Sequence, residues 1–443
     1  MTQPAWLERF FAHVQTQQTR IEQVLERENL DLIAIHSGQI KRQFLDDMDY
    51  PFKVNPLFKA WAPLTDLPHC WILLRAGKTP QLVALQADDF WHYQHQISAE
   101  PWVSEFDLAT IKTPDEIATF LPYDKQRSAY LGEHIEVAQA LGFEHINPDP
   151  VLTFMHYHRL FKTDYEQACM REASAIAVRG HKAVATTFAE GGSEFDCLLA
   201  YIAATGQGEN EAPYGHIIGQ NEHAAILHYM VQSKQRFTPG QRHSLLIDAG
   251  ASFHGYASDI TRTYAARDDE FGELVAALDQ VTLALVDLLK PGIKFGELHA
   301  TAHEQIAKLL YAFGFVKMSP ESMVETRVTN VFFPHGLGHS LGLQVHDVGS
   351  TLLDARGTIV PPPEHYPTLR TTRAVEPRHV YTIEPGLYFI DSLLATLKQG
   401  EHAQAVDWQR VEAFKKYGGI RIEDNIIVHR ERNENMTREL GLA

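Results

Sequence analysis

The C-terminal part of the chain repeats one order of elements, two helices followed by strand-like runs, and this repeat limits the folds open to it. In the first copy, helical patterns cover 152–188 and a segment ending near 205, and strand-like runs follow at 215–218, 225–229 and 245–247. In the second copy, helical patterns cover 271–289 and 295–310, and strand patterns start at 331, 380 and 420. Apolar residues at helical spacing predict amphipathic helices, and short apolar runs predict strands. The order predicts two related halves with a site between them.

Each half ends in a pair of acids set within apolar strand patterns. Asp248 and Asp259 are separated by a glycine-containing segment that favours a hairpin, which would bring their carboxylates together. Glu384 and Glu423 form the second pair. A bare carboxylate is costly to bury, so acids in such positions usually have a partner. Four acids in two corresponding places, together with a histidine-rich segment, favour a shared cation.

The histidine-rich segment spans 334–347 and carries His335, His339 and His346 between glycines and small apolar residues. His335 and His339 have the spacing of a zinc-protease helix, but that motif requires a glutamate after the first histidine. Gly-Leu-Gly intervenes instead, and glycine is a poor helix former. A dinucleotide-binding loop is excluded because Leu341 stands where the third glycine belongs.

One alternative remains open in the same segment. Gly338–Gly342 is a literal match to the nucleophile elbow of serine hydrolases, with Ser340 as the nucleophile. That elbow joins a strand to a helix, whereas Leu341 to Val345 alternates like a strand and Pro334 interrupts the approach. A serine esterase is therefore the weaker hypothesis, and labelling of Ser340 by a fluorophosphonate would support it.

Four carboxylates and one imidazole form a hard, anionic ligand set. Such a set suits manganese, with cobalt or zinc as alternatives, and suits copper poorly. A calcium loop would place its acids close together in the sequence and would not use histidine. Because carboxylates bridge readily, two divalent metal ions about 3.5–4 Å apart are favoured over one.

The length of 443 residues exceeds what one hydrophobic core usually holds, so two domains are expected. Short strand-like runs alternate with helical patterns before Pro148 and Pro150. We therefore expect an α+β protein with a smaller α/β domain at 1–155 and a catalytic domain at 156–443.

Composition excludes several classes of partner. The net charge of −17 argues against nucleic acid, which would need a basic face. No run of about 18 apolar residues is present to cross a membrane. The three cysteines predict no disulfide framework, and the start of the chain lacks a signal-peptide layout. A cytoplasmic location is therefore expected.

The acids Asp46, Asp47 and Asp49 cluster near the start of the chain. By themselves they predict a solvated turn.

The blocks that carry these residues resemble the pita-bread metallopeptidases, the family of methionine aminopeptidase, aminopeptidase P, prolidase and creatinase. They surround Asp248 and Asp259 and span 335–347, 382–386 and 419–425, in the family's order. The similarity is greater to bacterial prolidases and to the related organophosphorus acid anhydrolases, where it includes 44–55. It implies a pita-bread catalytic domain and hydrolysis of Xaa-Pro dipeptides, with phosphotriester hydrolysis at the same site as the alternative.

The resemblance also implies a role for each site residue. The metal ligands would be Asp248, Asp259, His339, Glu384 and Glu423. Asp259 and Glu423 would bind both metals, and His339 would bind one. Glu384 would also accept the proton of the attacking water. Family members that have lost these ligands act as binding proteins, but all five are present here.

Further residues would contact the substrate. His335 and His346 would contact the substrate and the developing charge, and Arg421 and His228 would lie near the substrate carboxylate.

Tyr214 would line the pocket, and Asp47 would reach the site of a neighbouring subunit, which implies a homodimer. Between the second pair of acids, the segment 391–416 is expected to close part of the pocket against longer peptides.

Overall fold

A computed structural model of the chain describes residues 5–91, 93 and 95–443. Besides short 3-10 turns, its first part contains α1 (Ala5–Arg27), β1 (Leu32–His36), α2 (Pro56–Lys59), β2 (Trp71–Leu74), β3 (Gln81–Leu85), β4 (Asp107–Ile111), β5 (Ser128–Leu131), α3 (Ile135–Ala140) and β6 (His145–Ile146).

These strands form a six-stranded mixed sheet in the order β4-β3-β2-β1-β5-β6. β1 is antiparallel to β2 and parallel to β5, and all of its residues are buried. Because side chains alternate along a strand, Ile33 and Ile35 face the core that α1 covers with Phe10, whereas Leu32 and Ala34 face a second core. The predicted α/β character of this part is confirmed.

The second part continues with α4 (Asp149–Arg159), α5 (Asp164–Ala189), α6 (Glu194–Thr205), β7 (Ile217–Gln220), β8 (Ser244–Asp248), β9 (Ser252–Phe253), β10 (Tyr256–Ala257), β11 (Thr261–Ala265), α7 (Glu270–Leu288), α8 (Phe295–Ala312), α9 (Pro320–Glu325), α10 (Thr329–Phe332), β12 (Val380–Ile383), β13 (Gly386–Tyr388), α11 (Asp391–Gln399), α12 (Trp408–Phe414), β14 (Gly419–Arg421), β15 (Asp424–Ile427) and β16 (Glu434–Asn435).

Each half of this part combines a helix pair with a three-stranded antiparallel sheet. The helices α5 and α6 precede the sheet β11-β8-β7, and α7 and α8 precede the sheet β12-β15-β16. β13 and β14 form a separate antiparallel pair. The predicted order of two helices followed by strands, occurring twice, is therefore confirmed.

The long helix expected at 152–188 is broken in two. α4 ends at Arg159, and Thr163 begins α5 with a capping box: the Glu166 N–H donates to Thr163 Oγ1, and the Thr163 N–H donates to Glu166 Oε2 at 2.8 Å. This reciprocal pair satisfies two N–H groups that a helix start leaves free. The domain boundary proposed between 155 and 156 falls inside α4.

Two expected strands do not form. Residues 225–229 follow a 3-10 turn at Asn221–Ala225, where Asn221 has a φ of 57°, and the Tyr229 N–H donates to Ile226 O in a further turn. The run starting at Val331 lies at the end of α10. Neither segment has a neighbouring strand with which to pair its backbone among the described residues.

The nucleophile elbow is excluded by the backbone around Ser340. This stretch is extended beside β12, where the Thr382 N–H donates to His339 O at 3.0 Å and the Leu341 N–H donates to Val380 O at 3.1 Å. No helix follows it in the described chain before α11. The Ser340 hydroxyl is buried and accepts a hydrogen bond from the Ser350 hydroxyl at 2.8 Å, so it is not an exposed nucleophile.

The two parts share one hydrophobic core. Phe10 and Val14 of α1 belong to the same buried cluster as Leu341, Val380 and Ile427 of the second part. Val380 belongs to β12 and Ile427 to β15, the strands next to Glu384 and Glu423, so this cluster packs the first part against that side of the site. Across the residues described, no helix combines the length and apolar character needed to span a membrane.

Candidate metal centre

Four carboxylates reach one place because two antiparallel strand pairs end there. Asp248 is the last residue of β8 and lies opposite Thr261 of β11, and Asp259 lies just before β11. In the other half, Glu384 directly follows β12 and Glu423 directly precedes β15. The two pairs occupy equivalent positions in the two halves.

The halves meet at Glu423. Its N–H donates to Thr261 O at 3.0 Å, and its Oε2 accepts from the Thr261 hydroxyl at 2.7 Å. Its Oε1 is buried and has no hydrogen-bond partner among the described groups. A buried polar atom without a partner is costly, and a cation would satisfy this oxygen.

His339 lies between the two pairs. Its Nε2 is 3.4 Å from Asp259 Oδ2 and 3.5 Å from Glu384 Oε1. Its Nδ1 is 3.0 Å from Ser340 O. A carbonyl oxygen can only accept, so Nδ1 carries the proton and the lone pair of Nε2 is directed at the carboxylates, which is how a histidine ligand is usually held.

Ligand atoms of Asp259, His339 and Glu423 all lie within 4.8 Å of one another, and all three residues are buried. Together with Asp248 and Glu384 they form a donor set of four carboxylates and one imidazole. Such a set fits hard or borderline divalent cations.

The carboxylates repel one another in this buried place. Burial raises the pKa of Asp248 to about 6 and that of Glu384 to about 7, and neighbouring acids add to both increases. Burial and the nearby Asp259 and Glu384 raise the pKa of Glu423 far above its usual value. Burial alone would raise the pKa of Asp259, but its interaction with the nearby His339 lowers it. Bound cations would relieve this repulsion, so the electrostatics fit a metal site.

Two side chains hold the first acid pair in place. The Tyr214 hydroxyl lies 2.8 Å from Asp248 Oδ1 and 2.6 Å from Asp259 Oδ1. Arg421 is buried and donates from Nη2 to Asp248 Oδ2 at 2.6 Å, from Nη1 to the Tyr388 hydroxyl at 2.8 Å and from Nε to the Thr261 hydroxyl at 3.2 Å. Most of its donors therefore serve the protein itself.

His335 is connected to this network through Tyr388. Its Nδ1 lies 2.8 Å from Gly336 O and therefore carries the proton, so its Nε2, at 2.8 Å, accepts from the Tyr388 hydroxyl. Burial, with the nearby Arg421, lowers the pKa of His335 to about 3. The ring is neutral at physiological pH, and both of its nitrogens are engaged.

Two connected cavities open onto the acids. The smaller, of about 240 Å³, contains all five candidate ligands together with His335, Arg421 and Arg370. The larger, of about 890 Å³, lies between the two parts of the chain and includes Tyr214. His228 and His346 line both cavities.

Asp47 lies apart from the site within this chain. It is exposed in the loop 41–50, which a bridge between Arg42 and Asp49 closes, and it lines neither cavity. Phe44 and Leu45 of the same loop are about nine-tenths exposed.

Two site residues were not found by sequence reasoning. Tyr388 follows Glu384 in the sequence, but a tyrosine within an apolar strand pattern predicts a residue of the hydrophobic core. Arg370 lies in the irregular stretch between α10 and β12, where no periodic pattern predicts a position. The segment 391–416, expected to close the pocket, instead forms α11 and α12, which pack on the second half through Leu394 and Val411, and it lines neither cavity.

Residues 8–157 match the N-terminal domain of Xaa-Pro dipeptidase, and residues 168–430 match metallopeptidase family M24. The chain belongs to metallopeptidase family M24. An Xaa-Pro dipeptidase 1 of Idiomarina loihiensis is 58% identical to this M24 chain over 430 residues, which cover 97% of the chain and 95% of the relative. An Xaa-Pro dipeptidase of Pseudoalteromonas atlantica is 52% identical over 437 residues, covering 97% and 98%.

Among solved structures, aminopeptidase P from E. coli in its low-pH form matches this M24 chain with a TM-score of 0.74 and 22% identity, covering 98% of the chain and 95% of the neighbour. This match confirms the predicted pita-bread fold with its additional N-terminal domain. Membership of the family establishes the protein as a metal-dependent hydrolase of peptide bonds.

Proposed function

We propose that this M24 peptidase is a dipeptidase that hydrolyses the bond between a residue Xaa and a C-terminal proline, using two divalent metal ions. The observation that carries the proposal is the convergence of four carboxylates and the Nε2 of His339 from both halves on one cavity of about 240 Å³. The names of relatives that are more than half identical over nearly the whole chain support the choice of substrate.

The proposed metal ligands are Asp248, Asp259, His339, Glu384 and Glu423. As the resemblance to this family implies, Asp259 and Glu423 would hold both ions and His339 would hold one. The oxygen-rich donor set favours manganese, with cobalt or zinc as alternatives. The unpaired oxygen of Glu423 supports the presence of a cation at this position.

Divalent ions bound there would supply hydroxide at neutral pH and polarise the scissile carbonyl. Glu384, beside His339 and facing the small cavity, is placed to accept a proton and pass it to the leaving proline nitrogen. Burial lowers the pKa of His346 to about 4, so it is neutral and can donate one N–H to the developing oxyanion. His335 fixes the orientation of Tyr388 and borders the substrate.

A C-terminal carboxylate needs a cation with free donors, and Arg370 offers one. It is exposed, lines the small cavity, and its guanidinium has no hydrogen bond or ion pair among the described residues. We propose that Arg370 contacts the proline carboxylate, since a guanidinium can grip a carboxylate with two N–H groups. Arg421 and His228 border the same space, with Arg421 acting mainly by holding Asp248.

We further propose a homodimer in which Asp47 reaches the site of the neighbouring subunit. The exposed Phe44 and Leu45 around it support a contact surface, because clustered exposed apolar residues mark interfaces. A cytoplasmic location is proposed because all three cysteines are free and buried.

The test is hydrolysis of Ala-Pro by protein stripped with a chelator, before and after addition of Mn²⁺, with Ala-Pro-Ala measured alongside. We expect activity that returns only with metal and only on the dipeptide. Absence of activity with Mn²⁺, Co²⁺ and Zn²⁺ would contradict the proposal and direct the search to phosphotriesters. Equal cleavage of Ala-Pro-Ala would contradict recognition of the proline carboxylate.

A further inference from the structure

Two lysines of the first part reach into the larger cavity, and their surroundings differ. Lys53 Nζ is enclosed by backbone carbonyls, donating to Asn210 O at 2.7 Å and to Ala212 O at 2.8 Å. Within the described residues, Lys59 Nζ has two long hydrogen bonds, to Leu343 O at 3.3 Å and to Gly255 O at 3.4 Å. Lys59 therefore retains donor capacity that its neighbours do not use.

Lys59 also lacks an acidic partner. No carboxylate of the described residues forms an ion pair with Lys59. Apart from Asp248 and Asp259 of the metal centre, the acids that line the same cavity are Glu133 and Glu211, and both are exposed. Behind it, Arg159 and Lys162 share the single buried carboxylate of Asp347. This wall of the cavity therefore carries an excess of positive charge.

The charge of Lys59 is present at neutral pH. Burial, with the nearby Arg159 and Lys53, lowers its pKa to about 8, so the ammonium form still predominates at pH 7. A partly buried cation without a counter-ion is electrostatically unfavourable, and an incoming anion would stabilise it.

The two segments that Lys59 contacts both lead to the metal centre. Leu343 lies in the stretch that begins at His339 and ends at His346, and Gly255 lies in the hairpin that ends at Asp259. Lys59 thus lies on the wall of the larger cavity, which shares His346 and Asp259 with the smaller one.

The different sizes of the two cavities favour one orientation of a bound dipeptide. The small cavity, with Arg370 at its edge, has room for a prolyl ring and its carboxylate. The scissile carbonyl must lie at the acids, so the Xaa residue extends into the larger cavity of about 890 Å³. The lining of this cavity includes the apolar side chains of Val345 and Phe253, against which the stem of a side chain can pack, and Lys59 lies on the wall of the same cavity.

We propose that Lys59 determines specificity for the residue before proline and favours dipeptides whose Xaa side chain is a carboxylate, as in Glu-Pro. The inference rests on the proposed Xaa-Pro dipeptidase function and adds the chemical class of the preferred Xaa residue. Lys59 acts by pairing with the side-chain carboxylate of the substrate, and it takes no part in bond cleavage.

The experiment compares kcat/KM for Glu-Pro and Gln-Pro, which have the same length and differ by one charge, in the metal-loaded protein, with Ala-Pro as the reference. We expect the native protein to prefer Glu-Pro by about tenfold, the usual effect of one hydrogen bond to a charged group. Lys59→Gln, which keeps an N–H donor for the two carbonyls, should abolish the preference, and Lys59→Arg should retain it.

Lys53→Gln is the matched control, because Lys53 comes from the same segment and lines the same cavity but donates to backbone carbonyls. This variant should leave the ratio of kcat/KM for Glu-Pro to that for Gln-Pro unchanged. A ratio near one in the native protein would overturn the inference. So would a ratio unaltered in Lys59→Gln, as expected if Lys59 only braces the two segments. Failure to hydrolyse even Ala-Pro would overturn the proposed function itself, which separates the two results.

Discussion

At the scale of single residues, two neighbouring histidines of the site differ in the direction of their pKa shifts and in the roles we assign to them. The rings of His339 and His346 meet edge to face, with centroids 4.4 Å apart. Burial alone would lower the pKa of His339, but Asp259 and Glu384 raise it, whereas burial and the proximity of His339 lower that of His346 to about 4. Only His339 directs a ring nitrogen between carboxylates of both acid pairs.

Replacement of each histidine by alanine should therefore have different effects. His339→Ala removes a proposed ligand, and we expect metal occupancy to fall with activity. His346→Ala should keep the metal and lower kcat by about a hundredfold to a thousandfold, the range for loss of one oxyanion donor. Metal content by mass spectrometry and kcat on Ala-Pro distinguish the two. Equal loss of metal in both variants would contradict the division of roles.

The two arginines of the small cavity also differ in what they can bind. Arg370 is exposed and has no partner among the residues that the structure describes, whereas Arg421 is buried against Asp248 and Tyr388. We expect Arg370→Met to raise KM for Ala-Pro by at least about tenfold, because the substrate carboxylate loses a charged hydrogen bond, and to leave metal content unchanged. Arg421→Met should instead lower kcat, because Asp248 loses its partner. If Arg370→Met leaves KM unaltered, Arg370 is not the carboxylate ligand.

At the scale of elements, one carboxylate organises the loop that carries His228. Glu194, in the first turn of α6, is buried and accepts from four donors: the Gln220 N–H, His223 Nδ1, the Tyr229 hydroxyl and the Ser233 N–H, at 2.6–2.8 Å. These donors lie on both sides of His228 in the sequence. The loop has no regular pairing of its own, so this carboxylate fixes its path.

Glu194→Gln should loosen the loop. The carboxylate accepts hydrogen bonds at both of its oxygens, whereas the amide has one acceptor oxygen and an NH₂ group that would face the remaining donors. We expect kcat/KM for Ala-Pro to fall by about tenfold or more, since breaking a buried hydrogen bond costs about 1–3 kcal/mol, while metal content is retained. Asp196→Asn, at the capping box of the same helix, is the control: it should weaken the helix start without lowering kcat/KM. Loss of activity in Asp196→Asn alone would contradict the argument.

The same elements show what sequence reasoning could reach. The acids at the ends of β8 and β12 could be predicted because a carboxylate within an apolar strand pattern needs a partner, and hairpin geometry brings one close. The loop holding His228 was mistaken for a strand, because Ala225 to Tyr229 has an apolar composition and its anchor, Glu194, is distant in sequence. No sequence pattern predicted a role for Arg370, because it lies in an irregular stretch. Its possible role can be inferred only from the cavity that it lines.

At the scale of the whole molecule, the junction between the two parts is tied to the catalytic segment by a buried ion triad. Arg159 at the end of α4 and Lys162 in the linker to α5 both pair with Asp347, whose side chain is fully buried next to His346. Gly342 permits this arrangement, because a Cβ there would lie 2.3 Å from Asp347 Oδ2 and 2.7 Å from Lys162 Nζ. The linker therefore cannot shift without displacing the segment of His346.

Removal of the shared charge should accordingly destabilise the fold and misplace His346 together. Asp347→Asn leaves two buried cations without a counter-charge, and we expect the free energy of unfolding to fall by about 3–5 kcal/mol. Asp164→Asn, which breaks an exposed pair with Arg378 at the same junction, should cost less than about 1 kcal/mol. Urea unfolding measures both, and kcat on Ala-Pro in folded Asp347→Asn reports His346. Comparable destabilisation by the two variants would show that the triad contributes no more to stability than a surface ion pair. The coupling between the linker and the site would then have to come from the shared apolar core around Leu341 and Val380.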